Sequence, residues 1–338
     1  MSMKRFSALA ITTILALSAC SGGGMSSTGS VKPATAARSV QMRPYALPVV
    51  HDATLEASAA RGAKRAAAAN RNVRSIGSLP TIDATVLLTD APRFGPGAQV
   101  NVSLIGVQVT GADGVVYQVA SYDSPVLVNV LDYQVSALSL GMANLPNQNY
   151  TMLRLTVQAS NSSLVAYGLT YPVSYGTYDV AHVFTPATAD VANIDIPIST
   201  TNSGTSISLL AHYNLIEKVK ISNGVANLSS AIAAIPSDTA ASISGIVVNN
   251  AGLAVSQAIV AAVDASGVVV NTALSNDDGT YQLSAMAGGT YAVVVYNNYT
   301  SQSGDTFVSN GADYTTTVSG PTVSVPAGYL INVGNIVD

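Results

Sequence analysis

The sequence predicts an all-β protein, with two β-sandwich domains in tandem behind a signal peptide and a flexible, partly helical tether. Three observations carry this prediction. From Thr81 onward, short β-branched runs alternate with clusters of Gly, Pro, Asn and Asp at sandwich-like intervals. Of the 338 residues, 48% are hydrophobic and only 9% charged, which is ample for buried cores and excludes global disorder. A single Cys excludes a disulfide scaffold, so burial must hold the strands together.

The first element is the leader. Lys4 and Arg5 precede an apolar stretch over residues 6–17, which is signal-peptide length and too short to span a bilayer. It closes on Leu17, Ser18, Ala19 and Cys20, followed by Ser21 and three glycines. This resembles a bacterial lipobox. The resemblance implies a signal peptide over residues 1–19, cleavage between Ala19 and Cys20, and a covalent lipid on Cys20: a diacylglyceryl thioether plus an N-acyl chain such as palmitate. One acyl chain binds a membrane marginally and two anchor it stably, so three would hold the chain essentially permanently. Ser21 after the Cys, by resemblance to lipoprotein sorting in Gram-negative bacteria, implies the outer membrane, with either face open. An ordinary secretory signal with an incidental Cys is the alternative.

Residues 20–79 read as the lipidated Cys and a low-complexity tether. Gly and Ser dominate residues 21–30, and as a coil residues 21–79 would span about 42 Å. Residues 53–74 are Ala-rich without Pro and favour a helix that gathers Arg61, Lys64, Arg65, Arg71 and Arg74 on one side. With mostly Ala opposite, such a helix inserts poorly into lipid and reads as a solvated spacer. Charge is divided sharply. Residues 21–79 hold eight Lys and Arg against two acids, whereas residues 80–338 carry a net −12. An acidic body disfavours nucleic acid as a partner.

Residues 80–235 read as the first sandwich. Strands are expected at 84–88, 99–106 and 126–131, with a hairpin joining 107–110 to 115–119 through Ala112, Asp113 and Gly114. Residues 138–145 read as a short helical or irregular connection, and further strands follow at 150–158, 180–184, 193–198 and 206–210. Leu88-Thr89-Asp90-Ala91-Pro92, the Val-rich strand pair behind it, Leu145-Pro146 before residues 150–155, and His212-Tyr213-Asn214-Leu215 resemble the bacterial domain of unknown function numbered 4382. That resemblance implies a predicted lipoprotein and no particular activity.

Pro236, Ser237, Asp238 and Thr239 read as a hinge. Residues 241–338 then present turns at Asn249-Asn250-Ala251-Gly252, Asn276-Asp277-Asp278-Gly279 and Gly288-Gly289, where Asp-Gly and Gly-Gly suit positive-φ positions. Their order is similar to carboxypeptidase regulatory-like domains, which implies a small prealbumin- or Ig-like sandwich without catalysis. The shape is shared with carbohydrate-binding-like folds. Tyr281 and Tyr291 are expected in its core.

Catalytic signals are thin. The histidines are His51, His182 and His212, and no His-Glu-x-x-His, Gly-x-Ser-x-Gly or phosphate loop is present. No catalytic residue, metal site or cofactor is therefore expected beyond the lipid on Cys20. The candidate binding feature is aromatic: Tyr167, Tyr171 and Tyr175 would share one face of a continuous strand, either stacking on a glycan or packing in a core. The sequence thus points to a lipid-anchored, non-enzymatic envelope protein that meets the membrane through its lipid and a glycan or envelope protein through its sandwiches. The alternatives are a carbohydrate-binding surface lipoprotein using the Tyr-rich strand and an Asp-based hydrolase.

Overall fold

The computed structural model describes residues 41–70, 80–91, 98–134, 136–166, 168–178, 184–185, 187–200, 204, 206–214, 219–228, 232–296 and 317–337. The leader and the lipidation site, Ala19 and Cys20 included, lie outside them, as do Tyr167 and His182. Among the described residues the chain is all-β apart from one α-helix and a 3-10 turn at Val130–Tyr133. No helix among them is long and apolar enough to cross a membrane.

Strands β1 (Gln41–Pro44) and β2 (Val49–Val50) precede helix α1 (Ala53–Asn70). The next strands are β3 (Thr81–Ala91), β4 (Gln99–Gly111), β5 (Val116–Asn129), β6 (Ala137–Pro146), β7 (Tyr150–Ala166) and β8 (Leu169–Ser174). They are followed by β9 (Thr177–Tyr178), β10 (Phe184–Thr185), β11 (Val191–Pro197), β12 (Ser206–Asn214), β13 (Lys220–Ser222), β14 (Val225–Asn227) and β15 (Ile232–Pro236). The remainder are β16 (Ala241–Val248), β17 (Ile259–Val263), β18 (Val269–Leu274), β19 (Thr280–Met286), β20 (Gly289–Tyr296), β21 (Thr317–Val325) and β22 (Tyr329–Val337).

The first sandwich faces a seven-stranded sheet, β13-β14-β8-β7-β4-β5 with β11 also on β7, against a five-stranded sheet, β15-β12-β3-β6-β2. Alternation sends Ile82, Ala84 and Val86 of β3 and Val100, Val102 and Leu104 of β4 into one apolar core. Residues 138–145 form β6 and not an irregular connection. Leu138, Leu140 and Leu145 are all buried, and a register shift opposite Val86 and Leu87 disguises the alternation.

Residues 41–70 are built into the body, which corrects the tether reading there. Asp52 caps α1, its Oδ1 accepting the Thr54 and Leu55 backbone N–H groups at 2.8 and 3.0 Å. The helix packs along β5 and β6, burying Leu55 and Ala59 at the margin of the sandwich, so it is not a solvated spacer. Small side chains permit this. A Cβ on Gly62 would lie 1.7 Å from the Ser121 carbonyl oxygen, so only glycine lets the helix sit this close to β5.

The second sandwich packs β1-β22-β16-β19 against β18-β17-β20-β21, with Ile243, Val260, Leu283, Val293 and Ile331 in its core. Tyr281 and Tyr291 are buried there. One turn design recurs. Gly252, Gly267 and Gly279 all adopt φ near +77° (77, 79 and 76°), and each donates its N–H to the carbonyl three residues earlier, on Asn249, Asp264 and Asn276. Gly114 closes the β4–β5 hairpin in the same way onto Gly111. Gly288 and Gly289 do not use positive φ. A Cβ on Gly288 would lie 2.6 Å from the Ala327 backbone nitrogen, so close approach is what requires glycine there.

Candidate functional site: the seam and the strap

Pairing aligns the outward residues of β3 with those of β12: Asp83 with Ser206, Thr85 with Ser208, and Leu87 with Leu210. Along that outer face, polar side chains give way to apolar ones. Leu87 and Leu210 join Ala137, Ala240 and Ala285 in a separate buried cluster with Tyr45, Leu47 and Ile235 against it. Ala285 belongs to β19 of the second sandwich, so the five-stranded sheet is covered on both faces at its Leu87–Leu210 end. The doublets Leu87-Leu88 and Leu209-Leu210 are the sequence trace of this, because consecutive large apolar residues are what a strand buried on both sides requires.

The connection over residues 236–239 is a packed turn and not a hinge. Ser237 donates its backbone N–H to the Ser208 carbonyl at 2.8 Å, Thr239 donates to Pro236 at 3.1 Å, and Ala240 is fully buried.

Residues 41–50 cross the seam as a strap. β1 lies antiparallel along β22, with Gln41 opposite Asn332 and Pro44 opposite Tyr329, while β2 lies parallel to β6. Tyr45 donates its N–H to the Gly328 carbonyl, and Ala137 donates to the Pro48 carbonyl, both at 2.8 Å. Burial pushes the Tyr45 phenol up to about 12, while Ser284, the Ala285 backbone and Gln282 act in the opposite direction. Beneath the strap lies a cavity of about 290 Å³. Its apolar lining includes Leu47, Val49, Leu87 and Leu210, with Ser208 and Asp238 supplying polar groups.

Of the predicted binding tyrosines, Tyr171 lies on β8 and Tyr175 directly past its end, while Tyr167 lies outside the described residues. Gly168, at φ +76°, ends the run of β7, and the chain turns back as β8, which stops at Ser174. Tyr175 is a core residue with its hydroxyl 3.3 Å from the Ser162 hydroxyl, and burial raises its pKa. It presents no ring to a glycan. Tyr171 is half-buried against the same core. His212 is buried on β12 beside Thr89. Among the described residues, no three His, Cys, Asp or Glu side chains group as a metal site.

The outer face of the seven-stranded sheet is a set of paired polar groups. Gln108 donates to Gln118 at 2.9 Å, and Thr156 donates to Asn193 at 2.9 Å. Arg154 grips Asp195 with two hydrogen bonds of 2.5 and 2.7 Å, which holds the Asp195 carboxyl below its ordinary range. At the hairpin end, Asp113 accepts the Tyr117 hydroxyl at 2.7 Å and the Val115 N–H at 3.0 Å. Burial raises its pKa, but these bonds and the Gln148 amide outweigh it and leave the carboxyl lowered. Tyr117 meets Tyr150 edge-on, ring centroids 6.2 Å apart.

Residues 83–230 match the family Domain of unknown function (DUF4382). The match bears out the resemblance read from residues 88–92, 145–155 and 212–215, and it covers the first sandwich from within β3 to beyond β14. None of the curated proteins matches the chain.

Among solved structures, the chain is similar to the TIE protein of Bacillus anthracis at 9% identity and a TM-score of 0.18. That alignment covers 76% of this chain and 33% of the other, so the chain spans a third of that protein's length. It is also similar to BcpA, the major pilin subunit of Bacillus cereus, at 12% identity and a TM-score of 0.23, covering 75% and 99% of the two chains. The shaft pilin SpaA of Lactobacillus rhamnosus GG aligns at 9% identity and a TM-score of 0.20, covering 77% and 97%. At scores this far below 0.5, the likeness does not extend to the arrangement of the chain as a whole.

Proposed function

We propose that this chain is a lipid-anchored, non-enzymatic cell-envelope protein that is held to the outer membrane through Cys20 and displays its sandwiches for attachment or partner binding. The observation that carries the reading is Leu17-Ser18-Ala19-Cys20 placed directly behind a charged and then apolar leader. Charge, length, small residues and the thiol coincide at one position there, and the thiol is the atom that receives lipid.

The body supports a scaffold role. Its second sandwich, residues 241–338, is taken as a carboxypeptidase regulatory-like module appended to the first, residues 80–235. Outward polar side chains are already paired, Gln108 of β4 with Gln118 of β5 and Arg154 and Thr156 of β7 with Asp195 and Asn193 of β11, which suits a stable, water-facing surface. A glycan or an envelope protein is the partner class that such a hydrogen-bonding surface, with its one Arg154–Asp195 ion pair already internally matched, suits.

The test is metabolic labelling with an alkyne fatty acid, followed by mass spectrometry of the N-terminal peptide. The expected result is label on Cys20 as the first residue, with Cys20→Ser abolishing the label and moving the chain from the membrane to the soluble fraction. An unlabelled chain that begins elsewhere and partitions into the soluble fraction overturns the reading.

A further inference from the structure

We infer that residues 41–50 form a releasable latch: they hold the two sandwiches docked across the seam, and they open before either sandwich does. Among the described residues, the strap hydrogen-bonds to a strand of each sandwich, β22 on one side and β6 on the other. Each grip is short. β1 has four residues and β2 two, and all six side chains are exposed, Met42 at 56%. The strap is therefore held by backbone hydrogen bonds plus two inward side chains, Tyr45 and Leu47, which pack on the seam cluster.

Beneath those side chains the packing is incomplete. A pocket of about 290 Å³, partly open to solvent, is lined by Tyr45, Leu47 and Val49, so part of the strap's apolar surface meets no protein atoms and forgoes the dispersion contacts of a filled interface. Immediately after the strap the situation reverses. Asp52 caps α1, Leu55 and Ala59 are buried, and Arg61 pairs with Asp123 at 3.2 Å. A loosely held segment thus gives way to a firmly held one within a few residues, which confines opening to the strap.

The chain order supplies a direction. Any pull on the segment before Gln41 reaches the Gln41–Asn332 pair first, then Pro44–Tyr329, then Tyr45, and only afterwards the first sandwich. Release bares the β22 edge and the Leu87–Leu210 face together. The inference rests on the lipid-anchor reading only for the source of that pull.

The test is hydrogen exchange on the full chain. Leu47→Ala removes the apolar grip, and Gln41→Cys with Asn332→Cys in a Cys20→Ser background locks β1 to its antiparallel partner. In the natural chain, the Tyr45 and Ala137 amides should exchange at least about tenfold faster than those of β7. Leu47→Ala should accelerate Tyr45, Ala137, Ser237 and Ala240 by about tenfold or more while leaving β4 and β7 unchanged. Oxidation of the engineered pair should suppress exchange at the same four amides, and reduction should restore it.

If Tyr45 exchanges only together with β7, or if Ser237 and Ala240 ignore the lock, the latch is overturned. Should Leu47→Ala fail to fold, the oxidised and reduced lock decide alone. None of these measurements involves lipid, so a failed latch leaves the labelling of Cys20 untouched, and an unlabelled Cys20 leaves the latch standing without its pull.

Discussion

The two sandwiches use the same local devices and differ in what surrounds them. Each begins a core strand with a tyrosine whose hydroxyl donates to the carbonyl four residues earlier: Tyr150 to Pro146 at 2.6 Å and Tyr291 to Ala287 at 2.7 Å. Each closes hairpins with the same glycine turn. The first sandwich, however, has strands of 13, 14 and 17 residues in β4, β5 and β7, a helix along its margin, and a sheet whose Leu87–Leu210 end is covered on both faces. The second has strands of four to nine residues. Local chemistry therefore builds a sandwich, whereas the neighbour decides which of its faces is dry.

The largest test of this comparison is Leu210→Ala on the seam against Leu283→Ala in the second core. Both side chains are fully buried, and each loss is expected to cost about 2–5 kcal/mol. The seam variant should split thermal unfolding into two calorimetric transitions, because it removes what couples the sandwiches. The core variant should lower the second sandwich alone. A single transition in the Leu210→Ala chain would show that the seam does not couple them.

A smaller effect sharpens the likeness. Tyr150→Phe and Tyr291→Phe each delete one hydroxyl-to-carbonyl bond, and each is expected to cost about 1 kcal/mol in denaturant unfolding. Unequal losses would show that the two corners are not equivalent.

The smallest effect is acid sensitivity. Asp113 and Asp195 of the first sandwich both have lowered pKa values. A carboxyl depressed on folding contributes stability that is present above the unfolded value near pH 4 and is lost as pH falls through the folded value. Both groups are partly exposed, so each is expected to contribute under about 1 kcal/mol. Asp113→Asn with Asp195→Asn should flatten the first sandwich's loss of stability below pH 4, as read by urea midpoints. An unchanged slope would rule these two carboxylates out as its source.

Strands β3, β4, β5, β7, β11 and β12, the glycine turns at Gly114, Gly252 and Gly279 and the helix at residues 53–70 were legible because each is written in a local pattern, while most of the strand expected at 180–184 lies outside the described residues. β6 was not, since Gly141 and a register shift break its alternation. The continuous Tyr-bearing strand failed for a related reason: Gly168, at positive φ, lets β8 turn back on β7, and β8 stops before Tyr175. Tyr45 and Leu47 were invisible as anchors because Pro44 and Pro48 flank them and the segment shows neither a helix nor a strand period.

The sequence by itself determined that the body is built of strands, where its turns fall, and that a stretch resembling a lipobox stands before it. Periodicity, glycine and a short leader are properties of neighbours along the chain. Tertiary structure alone decided that residues 41–50 strap two sandwiches together, that the Leu87–Leu210 end of the five-stranded sheet is buried on both faces, and that Tyr175 faces inward. Burial depends on which surfaces meet, and residues far apart in the chain, such as Leu47, Leu87, Leu210 and Ala285, share a site only after folding has brought them together.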